Sequence, residues 1–186
     1  MELSELIARA PWTASVTPAG YYRSVFAAFL ADYRRGNTTL QIAPAPGRRP
    51  STLPRHSWPE LFLQLAGTTW FTTPGGNLVS KPGTLAMIPR GTPHGERWSS
   101  VDPSHALVVA MPRDGRLAVQ TAVLEADGVR RPRHAQVFAD EEGATAIRLC
   151  DETAAVARLA TGHGDETVRP LIEVLLGRLE RCAARS

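Results

Sequence analysis

Short strand-like segments follow one another closely through the middle of the chain, and this feature constrains the fold more than any other. Glycine, proline and asparagine separate the segments, as in the turn Pro74-Gly75-Gly76-Asn77. Short strands at this frequency are typical of an antiparallel sandwich or a small barrel. The predicted strands are Asn37–Ala43, Glu60–Ala66, Thr68–Thr73, Leu78–Ser80, Thr84–Ile88, Gly95–Ser99, His105–Met111, Arg116–Leu124 and His134–Phe138, with a basic turn predicted at Arg130–Arg133.

Helical periodicity flanks this β-rich region on both sides. Gly20–Arg35 has one broad apolar face rich in aromatic residues, and Met1–Ala10 predicts a shorter helix before it. Two more helices are predicted at Glu141–Leu159 and Asp165–Ala184. The last one carries an apolar stripe that fits either the outer face of the sheet or a second copy of the chain; it consists of Val168, Leu171, Ile172, Leu175 and Leu179.

Length and composition predict one globular domain. The chain has 186 residues, of which 43% are hydrophobic and 21% charged, as is ordinary for a protein with a buried core. We divide it into an N-terminal helical segment at 1–36, a β-rich region at 37–139 and a C-terminal helical pair at 140–186, all in the same domain. The chain has no apolar run that could span a membrane and no signal region, which predicts a soluble, cytoplasmic protein.

The charge and the cysteines exclude little and imply little. A net charge of +3 is spread over the chain, and the clusters at Arg34-Arg35, Arg48-Arg49 and Arg130–Arg133 are interpreted as solvated turns rather than a phosphate track. Direct binding of nucleic acid is therefore not expected. Cys150 and Cys182 lie in helical segments, where a disulfide is possible but not implied.

Polar side chains that could bind a metal or take part in a reaction cluster around two of the predicted strands. In a strand, alternate residues share a face, so Glu60, Phe62 and Gln64 project to one side and the leucines between them to the other. By the same alternation His94, Glu96 and Trp98 share a face. If the strands face each other, His56, Glu60 and His94 converge as a possible site for Zn, Fe, Mn, Ni or Cu. The alternative is a cluster of buried polar groups that only satisfy one another.

The spacing of these residues resembles two motifs of the cupin superfamily. Gly83, Pro89, Gly91 and His94 reproduce the second motif through its histidine, and His56, Glu60 and Gly67 reproduce most of the first. Pro54 stands where the first motif has another histidine, and Trp98 where the second ends in asparagine. The resemblance implies a mainly β cupin fold, a small antiparallel β-barrel or jelly roll, here with an N-terminal helix and two C-terminal helices.

The helices after the barrel make the chain similar to the N-terminal, effector-binding and dimerising half of AraC-type transcription regulators, without the DNA-binding half. This resemblance implies a sensor-like protein that binds a small-molecule ligand, takes part in transcription regulation and forms a homodimer through its C-terminal helices. The register leaves open whether Trp70 or Phe71 faces the barrel interior. The expected ligand-binding residues are His56, Glu60, Phe62, Gln64, Trp70, Met87, His94 and Trp98.

A metal-dependent cupin enzyme, of the dioxygenase or isomerase type, is the alternative function. Three protein ligands would leave an open position at the metal, which an enzyme of this kind requires. Glu96, His105 and His134 are available as bases, but no spacing places any of them at the site. Catalytic residues therefore remain unassigned.

Overall fold

The computed structural model of the chain describes residues 18–44, 51–98, 105–110, 116–124, 130–139, 141–159 and 164–185. Three α-helices lie in these ranges: α1 (Pro18–Arg35), α2 (Glu141–Leu159) and α3 (Gly164–Ala184). The strands all lie between α1 and α2 in the sequence. They are β1 (Thr39–Ile42), β2 (Glu60–Ala66), β3 (Thr69–Thr73), β4 (Gly76–Ser80), β5 (Thr84–Ile88), β6 (Gly95–Trp98), β7 (His105–Ala110), β8 (Arg116–Leu124) and β9 (Arg130–Ala139).

The strands in the described ranges form two separate sheets. The larger sheet has six strands in the order β1-β5-β2-β7-β8-β9, and the smaller has three in the order β4-β3-β6. Paired strands are antiparallel except for β1 and β5, which run parallel. The prediction of a β-rich fold with flanking helices is confirmed, but the prediction of a closed barrel is wrong, because the described strands pair only within each sheet.

Apolar side chains fill the layer between the two sheets. Phe62 of β2 and Phe71 of β3 meet edge to face, with their ring centroids 4.7 Å apart, and neither is more than 1% exposed. We call this cluster the inter-sheet core. Its other buried members are Ala43, Ala86, Ile88 and Val108, with Leu78 packed at its margin.

The opposite face of the larger sheet is covered by the helices. Leu61, Leu63 and Leu65 of β2 are completely buried and belong to one core cluster with the apolar faces of α1, α2 and α3. The prediction that these leucines point away from Phe62 is confirmed. Because one face of β2 packs on the helices and the other on the smaller sheet, the strand is buried from Glu60 to Leu65.

The apolar faces of the helices pack within the chain. The aromatic stripe of α1, represented by Phe26 and Phe29, is fully buried in the helix-facing core. In α3, Ile172, Leu175 and Leu179 are also fully buried there. These three residues of the stripe are thus covered by their own chain, and a homodimer through these helices stays a prediction.

The structure corrects one further element and leaves another outside its range. The basic turn predicted at Arg130–Arg133 is wrong, because these residues begin β9. That strand lies at the edge of the larger sheet, where a proline is tolerated because its missing N–H leaves no ladder bond unmade. The helix predicted at Met1–Ala10 lies outside the described residues.

The cysteines and the helices also bear on two of the predictions from composition. Cys150 and Cys182 are both buried, and no disulfide joins them. Burial also raises the pKa of the Cys150 thiol well above its ordinary value, which keeps it protonated.

Within the part of the chain that the structure describes, every helix is too short or too polar to cross a membrane.

Candidate metal centre

Two loops meet at one edge of the sheets and bring the three predicted metal ligands together. His56 lies in the loop before β2, Glu60 is the first residue of β2, and His94 immediately precedes β6 of the other sheet. Two backbone hydrogen bonds join the loops. The Gly91 N–H donates to the His56 carbonyl at 2.8 Å, and the His94 N–H donates to the Pro54 carbonyl at 3.0 Å. The backbone therefore fixes the mutual position of residues that come from different sheets.

A tight turn after β5 aims His94 at the other two residues. Pro89 ends the strand, and its carbonyl accepts a hydrogen bond from the Thr92 N–H at 3.1 Å. Gly91 has a φ of 71°, a left-handed conformation that residues with a Cβ rarely adopt. The spacing of proline, glycine and histidine thus has a structural reason: it reverses the chain within a few residues and returns the imidazole to the site.

The Glu60 carboxylate lies between the two imidazoles. Its Oε2 is 3.2 Å from His94 Nε2, and its Oε1 is 3.8 Å from His56 Nε2. The two rings approach each other edge to face, with centroids 5.6 Å apart. His94 is buried, whereas the His56 side chain is 37% exposed, so the cluster opens toward solvent on the His56 side.

The protonation of His94 is governed by its neighbours. Its Nδ1 lies 3.1 Å from the Thr92 carbonyl oxygen, which can only accept, so Nδ1–H is the donor and Nε2 is directed to the site. Burial by itself lowers the pKa of His94. The hydrogen bonds to Glu60 and to the Thr92 carbonyl, together with the negative charges of Glu60 and Glu96, outweigh burial and raise the pKa above its ordinary value.

The donor set and its dimensions suit a first-row divalent ion. One nitrogen or oxygen atom from each of the three side chains lies within 4.8 Å of the others. Ligand atoms about 2.1 Å from a common ion are roughly 3–3.5 Å apart, so side-chain movements of less than an ångström would bring these atoms into range. Two imidazoles and a carboxylate are ligands that such metals accept. The carbonyl of Thr92 orients the His94 ring as an outer-sphere partner does in metal sites.

A depression of about 300 Å³ adjoins the exposed side of this cluster. It is lined by Arg55, His56, Ser57, Arg90 and Gly91, so His56 belongs both to the depression and to the candidate metal ligands. The indole of Trp58 stacks on the His56 ring, with centroids 5.0 Å apart and planes at 20°. A ligand entering from solvent would therefore meet two guanidinium groups and His56 before it reached Glu60.

The two arginines of the depression have different surroundings. Arg90 donates from Nε to Asp151 Oδ1 at 2.9 Å and from Nη2 to the other carboxylate oxygen, which joins the site loop to α2. The Arg55 side chain is exposed, and no ion-pair partner is found for it among the described residues. Arg90 is thus a positioned donor whose charge is largely balanced, while Arg55 supplies a positive charge that no carboxylate of the described residues pairs with.

Three of the expected ligand-binding residues, Phe62, Gln64 and Trp98, lie on the strand faces that are directed to the space between the two sheets. Phe62 is part of the inter-sheet core, where its ring packs edge to face against Phe71. The Gln64 side chain donates to the Ala66 carbonyl at 2.6 Å and accepts from Thr69 Oγ1 at 2.9 Å, so its amide is occupied by structural hydrogen bonds. Trp98 lies opposite Thr69, on the face directed to the other sheet, and is half-buried.

Two expected ligand-binding residues are not at the site. Met87 pairs with Leu61 across β5 and β2 and lies in the helix-facing core, on the opposite face of the sheet from Phe62. Trp70 lies on the outer face of the smaller sheet, where the Arg97 guanidinium stands 5.5 Å from its ring centroid. Phe71 is the inward residue of that pair. The side-chain positions of His105 and His134 lie outside what the structure describes.

Sequence reasoning missed Arg55 and Arg90 as site residues. Both directly neighbour the motif positions, Arg55 before His56 and Arg90 between Pro89 and Gly91. A residue next to a ligand in a tight turn usually lies at the rim of the same site, and that adjacency is the signal that could have identified them.

Comparisons of this chain with models of protein families, with curated proteins and with solved structures found no match. Its own residues and their geometry therefore have to support any functional conclusion.

Proposed function

We propose that this chain is a metal-dependent, small-molecule-binding protein of the cupin type, in which His56, Glu60 and His94 hold one divalent transition-metal ion. The convergence of these three side chains from two loops and two sheets is the observation that supports it most. Their order and spacing fit the cupin motifs, and the two-sheet β-rich architecture is compatible with that family. Pro54 stands where the first motif has another histidine, and three ligand side chains converge among the described residues.

The position of the site implies how a ligand would reach it. His94 and Glu60 are buried and held by hydrogen bonds, so they provide a fixed base for the ion, whereas His56 faces solvent. A bound divalent ion would act as a Lewis acid with coordination positions left open to a ligand atom. The depression lined by Arg55 and Arg90 also includes His56, the most exposed of the three candidate ligands. A ligand would therefore bind at the rim rather than inside the inter-sheet core.

We further propose a sensor role for this site. Arg90 belongs to the rim and also donates two hydrogen bonds to Asp151 of α2, so a ligand that displaces Arg90 acts directly on the C-terminal helices. α2 packs against α3, which in this proposal supplies the contact between two copies of the chain. Coupling between a ligand site and a helix pair is what a regulator without its own catalytic residues requires.

The proposal is tested by metal analysis of protein purified without chelator, followed by titration of the metal-free protein with Zn²⁺, Mn²⁺, Fe²⁺, Ni²⁺ and Cu²⁺ in turn. We expect one ion per chain. Loss of an outer-sphere partner typically weakens metal binding about 10–100-fold, so loss of a direct ligand in His94→Ala or Glu60→Gln should weaken it by at least about 100-fold.

A matched control removes a carboxylate elsewhere. Glu152 lies exposed on α2, and Glu152→Gln should leave both the stoichiometry and the affinity unchanged. Circular dichroism of each variant establishes that it is folded. A wild-type chain that takes up none of the five ions at micromolar concentration, or ligand variants that retain wild-type affinity, would contradict the proposal.

A further inference from the structure

We infer that the ligand of this site is a small organic monocarboxylate, whose carboxylate group binds the metal and meets the guanidinium of Arg55. The inference rests on the proposed metal site and adds the chemical class of its ligand. The first observation is the shared position of His56, which belongs to the candidate metal ligands and also lines the depression beside them. A ligand in the depression is therefore within reach of the ion.

The charges around the depression favour a single negative charge. A divalent ion with the Glu60 carboxylate has a net charge of +1, and Arg55 adds another positive charge. Arg90 is balanced by Asp151, so it contributes fixed donors and little net charge. The negative charge of Glu96 acts on the same site through His94. The sum is close to +1, which one carboxylate neutralises, whereas a dianionic phosphate would leave an excess of negative charge.

The donors and the surfaces also fit a carboxylate with an organic body. A planar guanidinium pairs with the two oxygens of a carboxylate through parallel hydrogen bonds. The volume of about 300 Å³ exceeds what a small inorganic anion fills. Trp58 extends the aromatic surface of His56 at the same edge, so an apolar or aromatic body on the ligand has a surface to pack against.

The experiment uses the full chain loaded with Co²⁺, whose visible absorption spectrum reports changes in its coordination shell. Benzoate, the isosteric but neutral benzamide, acetate and inorganic phosphate are titrated separately. We expect benzoate to change the spectrum with saturation, acetate to do so more weakly, and benzamide and phosphate to produce no saturable change. The matched variants are Arg55→Gln and, as a control on an exposed arginine of α2, Arg158→Gln. Arg55→Gln should weaken benzoate binding about tenfold, and Arg158→Gln should not change it.

The outcomes separate this inference from the function on which it rests. A chain that takes up no Co²⁺ contradicts the metal site and overturns the inference with it. A chain that takes up Co²⁺ but binds benzamide or phosphate as tightly as benzoate leaves the metal site standing and overturns the ligand class. Wild-type benzoate affinity in Arg55→Gln also overturns the inference, because the guanidinium then takes no part. Metal uptake by Arg55→Gln is measured in parallel, so that a fold-change in benzoate binding is not mistaken for loss of the ion.

Discussion

The inter-sheet core allows a direct test of whether the space between the sheets is packed or holds a ligand. Phe71 is completely buried, and its ring meets that of Phe62 at 4.7 Å. Truncating a fully buried phenylalanine costs about 3–5 kcal/mol, of which the edge-to-face pair accounts for about 0.5–1.5 kcal/mol. A domain of this size is stable by about 5–15 kcal/mol. Phe71→Ala should therefore remove roughly a fifth or more of the free energy of unfolding.

Equilibrium unfolding in urea measures this loss. With a slope of about 2 kcal/mol per molar urea, the midpoint should fall by about 1.5–2.5 M. Trp70→Ala is the matched control, because Trp70 lies on the same strand but on its outer face, and its contact with Arg97 is worth only about 0.5–1 kcal/mol. We expect its midpoint to fall less than half as far. If Phe71→Ala unfolds within about 0.5 M of the wild type, the core is not packed as described, and the interior again becomes a candidate ligand chamber.

Three further predictions concern the site and its supports. Because the pKa of His94 is raised, its pairing with Glu60 stabilises the metal-free protein fully below pH 6.5, and this stabilisation is lost as pH rises through the folded-state pKa. Urea midpoints measured as a function of pH should show the loss, and His94→Gln should remove this pH dependence. Gly91→Ala should lower the free energy of unfolding by about 1–2 kcal/mol, whereas Gly177→Ala, whose added Cβ meets only ordinary contacts, should raise it by about 0.5–1 kcal/mol. Asp151→Asn should cost less than about 1 kcal/mol, because its pair with Arg90 is more than one-third exposed, yet hydrogen exchange at the Gly91 amide should become faster.

The parts of the fold that depend on neighbouring residues in sequence were predictable. Alternation assigned the faces of β2, since Glu60 and Phe62 differ in chemistry from the leucines between them. The spacing of Pro89, Gly91 and His94 predicted a reversal, and the positive φ of Gly91 supplies its physical reason. The meeting of the three candidate ligands followed from these two local patterns together.

The misplaced ligand residues depend on contacts between segments distant in sequence. β5 is buried on both faces, so its apolar sequence does not show which face Met87 occupies. Only the pairing of Met87 with Leu61 settles this, because directly opposed residues share a face. Trp70 and Phe71 pose the same problem, since either aromatic residue is plausible inside until the pairing of β3 is known. The first four residues of β9, Arg130–Arg133, were predicted as a turn because an edge strand tolerates arginine and proline that a central strand would exclude.

The position of the candidate metal site follows from how the helices and the smaller sheet cover the larger sheet. The helices cover one face of the larger sheet and the smaller sheet covers the other, so the two apolar cores occupy both sides of β2. Among the described residues, the side chains that could bind a metal therefore meet at the strand ends, where Glu60 and His94 lie beside the loop of His56. A ligand bound at such an edge is selected by the charges and donors of the rim rather than by the shape of an interior. Substitutions at Arg55 should consequently change which ligands bind, while substitutions at Phe62 should change stability and leave ligand preference unaltered in variants that still fold.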